Sequence, residues 1–369
     1  MDKHQRALAR QKKLQRFNES DAAAAQSQIF GLPFSCEESE IVLIPVPWEA
    51  TVSSGSGAAN GPEAIRHASH QVDLYDSFTQ NVWKYGFAMH EPDEHIIRLN
   101  TAACKSVYGL RDFFDAGYAH TSRVCQNLLE QTNRDGGALN KCILRQSSHF
   151  LTQQQIVGIV GGDHSSPLGL MQALADRYES YGILHIDAHL DHRDAYEGFE
   201  FSHASIMRNA ANIKNIERIV HVGIRSYCKE EAEFLASSGR RFVMYSDRHI
   251  HDMTRNALQP WSMICAQIIS CLPQNIYVSF DIDGLKHEYC DKTGTPEPGG
   301  LEYNDALFLL HSLLTHNKRI IGFDLCEVAP DPGCDKKDWE RDWNANVGAR
   351  ILYQLCSLAT VSSFGQWTE

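Results

Sequence analysis

The sequence predicts a three-layer α/β fold in which helices cover both faces of a doubly wound, mainly parallel sheet. Short apolar runs alternate along the chain with longer segments of helical periodicity, and such alternation is typical of doubly wound domains. The apolar runs are almost continuous hydrophobics, as expected for strands that are buried on both faces. Acidic and histidine side chains directly follow several of these runs, at the strand ends where such folds place their working residues.

Seven apolar runs are predicted to be strands because each is short and bounded by polar loops. They lie at residues 41–46, 156–160, 182–186, 219–224, 242–245, 276–280 and 320–325. The segments with helical periodicity lie at residues 62–67, 121–130, 167–181, 229–238, 255–271, 304–315 and 347–358. Residues 91–148 have the least regular pattern and are interpreted as an insertion.

The chain is long enough to bury one large core, since 43% of its 369 residues are hydrophobic. No linker divides it, so we predict a single domain over residues 39–369 and an N-terminal extension over residues 1–38. Six of the first sixteen residues are basic and one is acidic. A mitochondrial presequence is one interpretation. The scarcity of serine favours a solvated helix that is able to pack on a neighbouring subunit.

Charge and cysteine content narrow the class of protein. The formal net charge of −12 argues against a nucleic-acid partner and is compatible with a cationic substrate. No apolar run reaches the roughly 18 residues of a membrane span, and no signal-peptide core is seen. The eleven cysteines include no CxxC pair, which is typical of reduced, cytoplasmic proteins. We therefore expect a cytoplasmic protein with neither a membrane nor a nucleic acid as partner.

Three strings that follow predicted strands supply two imidazoles and four carboxylates. These residues are His164, Asp187, His189, Asp191, Asp281 and Asp283. Buried like charges repel one another and lose solvation, and divalent cations remove that cost. Each string alone could be a turn or a helix cap, but three at successive strand ends favour a two-metal hydrolytic site. Oxygen-rich coordination with some imidazole suits Mn²⁺.

The same strings resemble the ureohydrolase family, the arginases and agmatinases, and the resemblance extends over residues 40–360. The matching segments lie at residues 45–48, 60–66, 162–165, 186–191, 279–285, 293–301 and 323–328. The resemblance implies a binuclear centre of two Mn²⁺, with Ni²⁺ as an alternative. One ion would be bound by His164, Asp187, Asp191 and Asp281, and the other by His189, Asp187, Asp281 and Asp283. Water between the ions would lose a proton and attack the guanidinium carbon of the substrate.

The resemblance also assigns catalytic roles to Asp191, His203 and Glu327. Glu327 would hold the guanidinium cation. Asp191 would accept the proton of the attacking hydroxide, and His203 would shuttle a proton to the departing nitrogen. His185, just before the second string, is expected to face away from the metal ligands.

The chain departs from the arginases around the substrate. Arg193 stands where arginases carry an asparagine for the substrate carboxylate, and residues 225–228 lack the acids that bind the α-amino group. We therefore expect an agmatinase-like pocket in which Arg193, Thr295 and Trp48 contact the substrate beside Glu327.

A further departure lies just after the third string. Lys286 and His287 replace the Asp-Pro pair that the family usually carries there. A lysine near two cations is unexpected, and an outward orientation is one interpretation.

Several functions remain open at this point. An agmatinase-like amidinohydrolase would release urea and an amine or ammonia from a small guanidino substrate. Alternatives are a free guanidine hydrolase or a guanidino-acid hydrolase, a formiminoglutamase-like hydrolase, and a non-catalytic, metal-stabilised binding protein. A homo-oligomer, either trimer or hexamer, is expected from the resemblance alone.

Overall fold

The centre of the fold is a sheet of parallel strands. The computed structural model describes residues 1–23, 27–53 and 55–367. Within them the strands are β1 (Ile41–Val46), β2 (Phe87–Met89), β3 (Ile156–Gly161), β4 (Tyr181–Ile186), β5 (Ile216–Ile224), β6 (Phe242–Ser246), β7 (Asn275–Asp281) and β8 (Arg319–Cys326). They form one sheet in the order β2-β1-β3-β8-β7-β4-β5-β6, and each pairing is parallel.

Helices cover both faces of this sheet. They are α1 (Lys3–Leu14), α2 (Gly61–Ala68), α3 (Glu94–Asp115), α4 (Arg123–Thr152), α5 (Leu168–Ala175), α6 (Ile206–Ala211), α7 (Lys229–Ser237), α8 (Asp247–Arg255), α9 (Trp261–Ser270), α10 (Tyr303–Thr315) and α11 (Trp343–Phe364). No described helix combines the length and the apolar character that crossing a bilayer requires.

Two hydrophobic cores lie on opposite sides of the sheet. One contains residues of α9, α10 and α11, and the other contains residues of α4, α5 and α6. Successive side chains of a strand point to opposite faces, and in β4 Ile183 belongs to one core while Leu184 belongs to the other. The predicted three-layer α/β architecture is therefore confirmed.

The seven predicted strands are all present, and β2 is the one that the sequence did not indicate. Its three residues are too short a run to stand out, and they pair with residues 41–43 of β1. Pro45 of β1 lies beyond the end of this pairing, as suits a residue that cannot donate a ladder hydrogen bond.

The interpretation of residues 91–148 as an irregular insertion is wrong, because this region forms most of the long helices α3 and α4. Two adjacent glycines within α4 weaken its helical pattern. Gly136 is used for close packing: a Cβ added there would lie 3.0 Å from the Cβ of Phe201. The glycine therefore marks a contact between α4 and the loop that leads to His203.

Two predicted helices have different bounds in the structure. The helix predicted over residues 167–181 ends at Ala175, and Tyr181 already begins β4. The helix predicted over residues 255–271 is two helices, because α8 ends at Arg255 and Pro260 caps the start of α9. Proline disfavours helical backbone in the residue before it, which explains the break.

The N-terminal helix α1 is anchored by two buried arginines. Nη2 of Arg6 and Nη1 of Arg10 each lie 3.0 Å from an oxygen of Glu40. Arg6 is 0% exposed and Arg10 is 4% exposed. We name Arg6, Arg10 and Glu40 the N-terminal clasp. The segment is helical as predicted, but Arg6 and Arg10 pack on the start of β1 and are not solvated, whereas Lys3 and Lys12 are exposed. The domain boundary at residue 38 stays a prediction.

Candidate metal and substrate site

Four neighbouring strands bring the predicted strings to one edge of the sheet. β3, β8, β7 and β4 are adjacent and parallel, so their carboxyl ends meet on the same side. His164 follows β3, Asp187 follows β4, Asp281 ends β7 and Glu327 follows β8. The expected convergence is therefore present.

The loop after β3 depends on Gly162. A Cβ on this residue would lie 1.8 Å from the carbonyl oxygen of Trp48, so a larger residue does not fit. The amide of Asp163 donates to the same oxygen at 2.7 Å. The close approach fixes the turn that delivers His164 to the site.

The imidazole of His164 lies among three carboxylates. Its Nδ1 is 3.0 Å from Oδ2 of Asp187, 3.3 Å from Oδ2 of Asp191 and 3.2 Å from Oδ2 of Asp281. Its Nε2 lies 2.9 Å from Oγ of Ser279. One ring nitrogen is thus held by the sheet, and the other faces the predicted acidic ligands.

His189 and Asp283 form the second part of the arrangement. Nδ1 of His189 lies 3.1 Å from Oδ2 of Asp283, and the amide of His189 donates to Oδ1 of Asp187 at 2.6 Å. Oδ1 of Asp283 accepts from the amide of Ala188 at 3.0 Å. Backbone donors therefore orient both carboxylates toward the imidazole.

Two overlapping groups of candidate ligands result. His164, His185, Asp187 and Asp191 form one group and Asp187, His189 and Asp283 the other, with ligand atoms within 4.8 Å of one another in each. Asp187 belongs to both groups. This set of carboxylate and imidazole donors could hold a divalent metal ion. We name His164, Asp187, His189, Asp191, Asp281 and Asp283 the acidic cluster.

The acidic cluster needs more positive charge than its own residues carry. Burial and two neighbouring carboxylates raise the pKa of Asp281 well above its ordinary value. Burial and Asp187 raise the pKa of Asp191 to about 6. Burial by itself would lower the pKa of His164, but the hydrogen bonds that its ring donates to Asp187 and the neighbouring carboxylates hold that pKa well above the ordinary value. Protons on histidine thus compensate the carboxylates, and metal ligation would exchange these protons for ions.

Two predicted catalytic residues have left-handed backbone. Asp191 has φ 55° and Glu327 has φ 63°, a conformation that is uncommon for non-glycine residues and concentrated at functional sites. The carbonyl of Asp191 accepts from the amides of Met207 and Arg208 at 3.0 and 3.1 Å. The amide of Glu327 donates to the carbonyl of Gly162 at 2.8 Å. These hydrogen bonds hold both residues in the strained conformation.

Glu327 is a buried carboxylate with one free oxygen. It is 4% exposed, and its Oε1 accepts from the amide of His164 at 2.8 Å. Its Oε2 has no hydrogen-bond partner among the described residues. Gly294 leaves room above it, since a Cβ there would lie 2.9 Å from Oε2. Burial and the charge of Asp163 raise the pKa of Glu327 well above its ordinary value, so this carboxyl group favours a cationic partner.

A cavity of about 280 Å³ opens beside the acidic cluster. Its lining includes His189, Asp191, Arg193, His203 and Thr295. The structure thus brings Arg193, His203 and Thr295 to one cavity with two of the predicted metal ligands. Their roles in substrate binding and catalysis stay predictions.

Arg193 lies in the wall of this cavity with few contacts to the protein. Its guanidinium lies over the ring of Tyr196, 5.2 Å from the centroid, and its Nε is 4.0 Å from Oε2 of Glu231. Both oxygens of Glu231 already accept from backbone amides, those of His192 and Cys228. The guanidinium is therefore available to a ligand.

His203 lines the same cavity just before α6, with its ring centroid 5.7 Å from that of Tyr196. Its Nδ1 is 3.5 Å from Oγ1 of Thr51, which also accepts from the His203 amide at 3.2 Å. Burial and the positive charges of His189 and His164 lower the pKa of His203 to about 3. His203 is therefore neutral at physiological pH.

Trp48 does not contact the cavity among the described residues, which corrects the predicted substrate contact. It is 1% exposed and packs in the hydrophobic core beneath the sheet edge, where its carbonyl supports the loop after β3. Phe199, on the loop toward His203, is also 1% exposed and packs against Val107 and Leu110. Both aromatic rings support the site from behind.

His185 faces the acidic cluster, so the expectation that it faces away is wrong. Its Nε2 lies 2.8 Å from Oδ2 of Asp187. Residues two apart on a strand share a face, and His185 is two residues before Asp187. The spacing of these two residues along the strand therefore predicts the observed orientation of His185.

Lys286 turns away from the acidic cluster. It forms an ion pair with Glu302, to which the hydroxyl of Tyr289 also donates at 2.8 Å. His287 begins the short 3₁₀ helix His287–Tyr289. The departure from the family at Lys286 therefore adds no positive charge beside the metal ligands.

The family of the chain follows from comparison with known proteins. The family model described as Arginase family matches residues 39–357. The chain belongs to the arginase family. This arginase-family chain is 27% identical to an N(1)-aminopropylagmatine ureohydrolase of Synechocystis sp., over 91% of both proteins. It is 25% identical to an agmatinase of Bacillus cereus, over 80% of this chain and 86% of the relative.

Solved structures support the same fold. The crystal structure of the agmatine ureohydrolase of Thermoplasma volcanium is similar with a TM-score of 0.66 and 22% sequence identity. The similarity covers 94% of this chain and 97% of that one. The arginase-family fold therefore includes nearly the whole chain.

Proposed function

We propose that this chain is an agmatinase-like ureohydrolase, which hydrolyses a C–N bond of a linear guanidino compound and releases urea. The observation that carries the proposal is Glu327, a buried carboxylate with a free oxygen next to the acidic cluster. Its charge suits a guanidinium group, and the acidic cluster suits cations that activate water. Membership of the arginase family supports the same class of reaction.

Two divalent ions, Mn²⁺ or Ni²⁺, are proposed in the acidic cluster. One would be held by His164, Asp187, Asp191 and Asp281, and the other by Asp187, His189, Asp281 and Asp283. Bound ions of this kind lower the pKa of water and supply hydroxide at neutral pH. The groups of candidate ligands that share Asp187 support part of this division, with His164 and Asp191 in one and His189 and Asp283 in the other; the assignment of Asp281 to both ions follows from the family resemblance.

Glu327 would orient the substrate. Its backbone is fixed by the hydrogen bond to Gly162, and its Oε1 by the amide of His164. A fixed carboxylate holds a planar guanidinium in one orientation and so lowers the entropic cost of reaching the transition state. Because Glu327 is buried, its attraction for a cation exceeds that of an exposed carboxylate.

Asp191 and His203 would move protons. Asp191 belongs to the acidic cluster and lines the cavity, a position suited to accepting a proton from water that is activated there. His203 is neutral and lines the same cavity. The departing nitrogen needs a proton before it can leave, and this pair would deliver one.

The test is a substrate panel on protein whose metal content has been measured. Protein loaded with Mn²⁺ or with Ni²⁺ is offered agmatine, arginine, guanidinobutyrate, guanidinopropionate and guanidine, and urea is assayed. Urea from at least one compound supports the proposal, and silence of the whole panel with both metals rejects it. Formamide from formiminoglutamate, with no urea from the panel, would indicate the formiminoglutamase-like alternative.

A His203→Ala variant separates an enzyme from a metal-stabilised binding protein. If His203 carries protons, turnover falls about 100-fold or more while the metal content stays near that of the unmodified chain. Equal losses of turnover and metal would assign His203 a structural role.

A second candidate is hydrolysis of a guanidino acid, which one observation favours. Arg193 lines the cavity with its guanidinium available, at a position suited to the carboxylate tail of a substrate. Free guanidine stays an alternative. Phe199 and Trp48 pack in the core, but Tyr196 and Tyr227 line the cavity and supply aromatic walls.

A homo-oligomer, trimer or hexamer, is proposed from the resemblance alone, and a cytoplasmic location is proposed from the free cysteines. Sedimentation velocity of the purified protein measures the stoichiometry, and a monomer at micromolar concentration would contradict the first of these proposals.

A further inference from the structure

Three buried histidines extend from Asp187 in a hydrogen-bonded series. His185 on β4 lies directly opposite His221 on β5. Nε2 of His185 is 2.8 Å from Oδ2 of Asp187, and its Nδ1 is 2.8 Å from Nδ1 of His221. Nε2 of His221 lies 3.2 Å from Nε2 of His192. We name His185, His221 and His192, which are 0%, 0% and 2% exposed, the histidine chain.

The carboxylate of Asp187 sets the direction of these hydrogen bonds. An ionised carboxylate only accepts, so His185 donates from Nε2. A neutral imidazole that donates from one nitrogen accepts at the other, so His221 donates from Nδ1 to His185. His192 then donates from Nε2 to His221. All three N–H bonds point toward Asp187.

The far end of the histidine chain agrees with this direction. Nδ1 of His192 has no hydrogen-bond partner in the described part of the chain, and the ring packs against Phe234 and Phe242 with centroids 5.3 and 4.9 Å away. The reverse direction would bury an N–H there without an acceptor, and it would require a cationic His185 beside the proposed ions.

We infer that His221 and His192 are positioning residues of the metal centre: through His185 they fix the carboxylate of Asp187, which both proposed ion sites share. The histidine chain does so without adding charge, and its aligned bond dipoles strengthen one another. Groups that orient a ligand from behind typically change metal affinity by about 10- to 100-fold. The inference rests on the metal ligation in the proposed function and is independent of the substrate.

Calorimetric titration of metal-free protein with Mn²⁺ tests the inference. His221→Leu removes the donor to His185 and is expected to weaken Mn²⁺ binding about 10- to 100-fold. His221→Asn keeps a donor near the position of Nδ1 and should recover most of that loss. Wild-type affinity in the Leu variant, or an Asn variant no better than Leu, would overturn the inference.

Tyr181→Phe is the matched control. It removes the buried hydrogen bond from the Tyr181 hydroxyl to the Met171 carbonyl, on the same strand as His185, and should leave Mn²⁺ affinity unchanged. An equal loss in this control would assign the effect to general loosening of β4 and would contradict a specific role for His221.

A second measurement needs no variant with an altered core. Holoenzyme labelled with ¹⁵N-histidine and loaded with diamagnetic Zn²⁺ reports the protonated nitrogen of each ring in two-bond ¹H–¹⁵N spectra. We expect protonation of His221 on Nδ1 only, and of His185 and His192 on Nε2 only; protonation of His221 on Nε2 overturns the inference. A silent substrate panel with these ring states intact would reject the proposed function alone.

Discussion

The N-terminal clasp and the acidic cluster both bury charged side chains, yet only the clasp surrounds its carboxylate with permanent positive charge. In the clasp, one carboxylate faces two guanidinium groups at 3.0 Å each. In the acidic cluster, four carboxylates face two imidazoles, which contribute positive charge only while protonated. The clasp lies at the start of β1 and the cluster lies at the carboxyl ends of β3, β4 and β7.

The difference separates a structural use of buried charge from a functional one. A buried ion pair that is complete in the folded chain loses much stability when one partner is removed, because the other is left uncompensated. A cluster whose negative charge is not balanced within the protein binds cations from solution. Substitutions in it should therefore affect the reaction more than the folding of the chain. Variants in each region should therefore affect different measurements.

The largest expected effect is on activity and comes from Asp187. Asp187→Asn removes the carboxylate that both proposed ion sites share, so urea release should fall at least about 1000-fold. Bound metal, measured by elemental analysis, should fall with it. Unchanged metal content in this variant would contradict the assignment of the acidic cluster as a metal site.

The next effect is on stability and comes from the clasp. Arg6→Met leaves Glu40 with one guanidinium and the carbonyl of Gln153 without its buried donor, and it should lower the free energy of unfolding by about 2 kcal/mol, with urea release per folded molecule unchanged. Chemical denaturation measures this loss. Lys12→Met, on the exposed face of the same helix, is the control and should change stability little. Equal stability in both variants would mean that the clasp contributes nothing.

Glu327 tests whether the free carboxylate oxygen serves the substrate. Glu327→Gln keeps the shape and an acceptor for the His164 amide but removes the charge, and kcat/KM should fall about 100-fold. Metal content should stay unchanged, because Glu327 is not among the proposed ligands. Parallel losses of metal and activity would make Glu327 part of the acidic cluster instead.

The smallest expected effect concerns the tail of the substrate. Arg193→Ser should lower kcat/KM for guanidinobutyrate about tenfold relative to agmatine, by removing a charge-assisted hydrogen bond. Arg193→Lys keeps the charge and should retain part of the preference. A uniform change across both substrates would place Arg193 outside substrate recognition and favour agmatine-like amines.

Features fixed by local pattern were predictable from the sequence. Seven strands follow from runs of buried hydrophobics, and the acidic cluster follows from acids and histidines at their ends. The short strand β2 and the full length of the glycine-interrupted helix α4 were not predicted, because neither has a clear hydrophobic periodicity. Trp48 was misassigned because an aromatic residue near a site looks the same in sequence whether it lines the cavity or supports its floor.

Features that depend on pairing between distant segments were not predictable. The basic residues of α1 looked solvated because Glu40, the partner of Arg6, lies 34 residues away. His221 looked incidental because its contact with His185 requires the register between β4 and β5. Both use long-range contacts that a single sequence does not encode in any local period.

The left-handed backbone of Asp191 has a consequence for protein engineering. Glycine would relieve that conformation and remove the repulsion between this carboxylate and Asp187. In a screen for heat resistance on protein stripped of metal by a chelator, Asp191→Gly should therefore score above the unmodified chain. In the same screen with manganese present it should score below. Stabilised variants should be compared only with the metal present, because selection for stability without metal would favour variants that have lost activity.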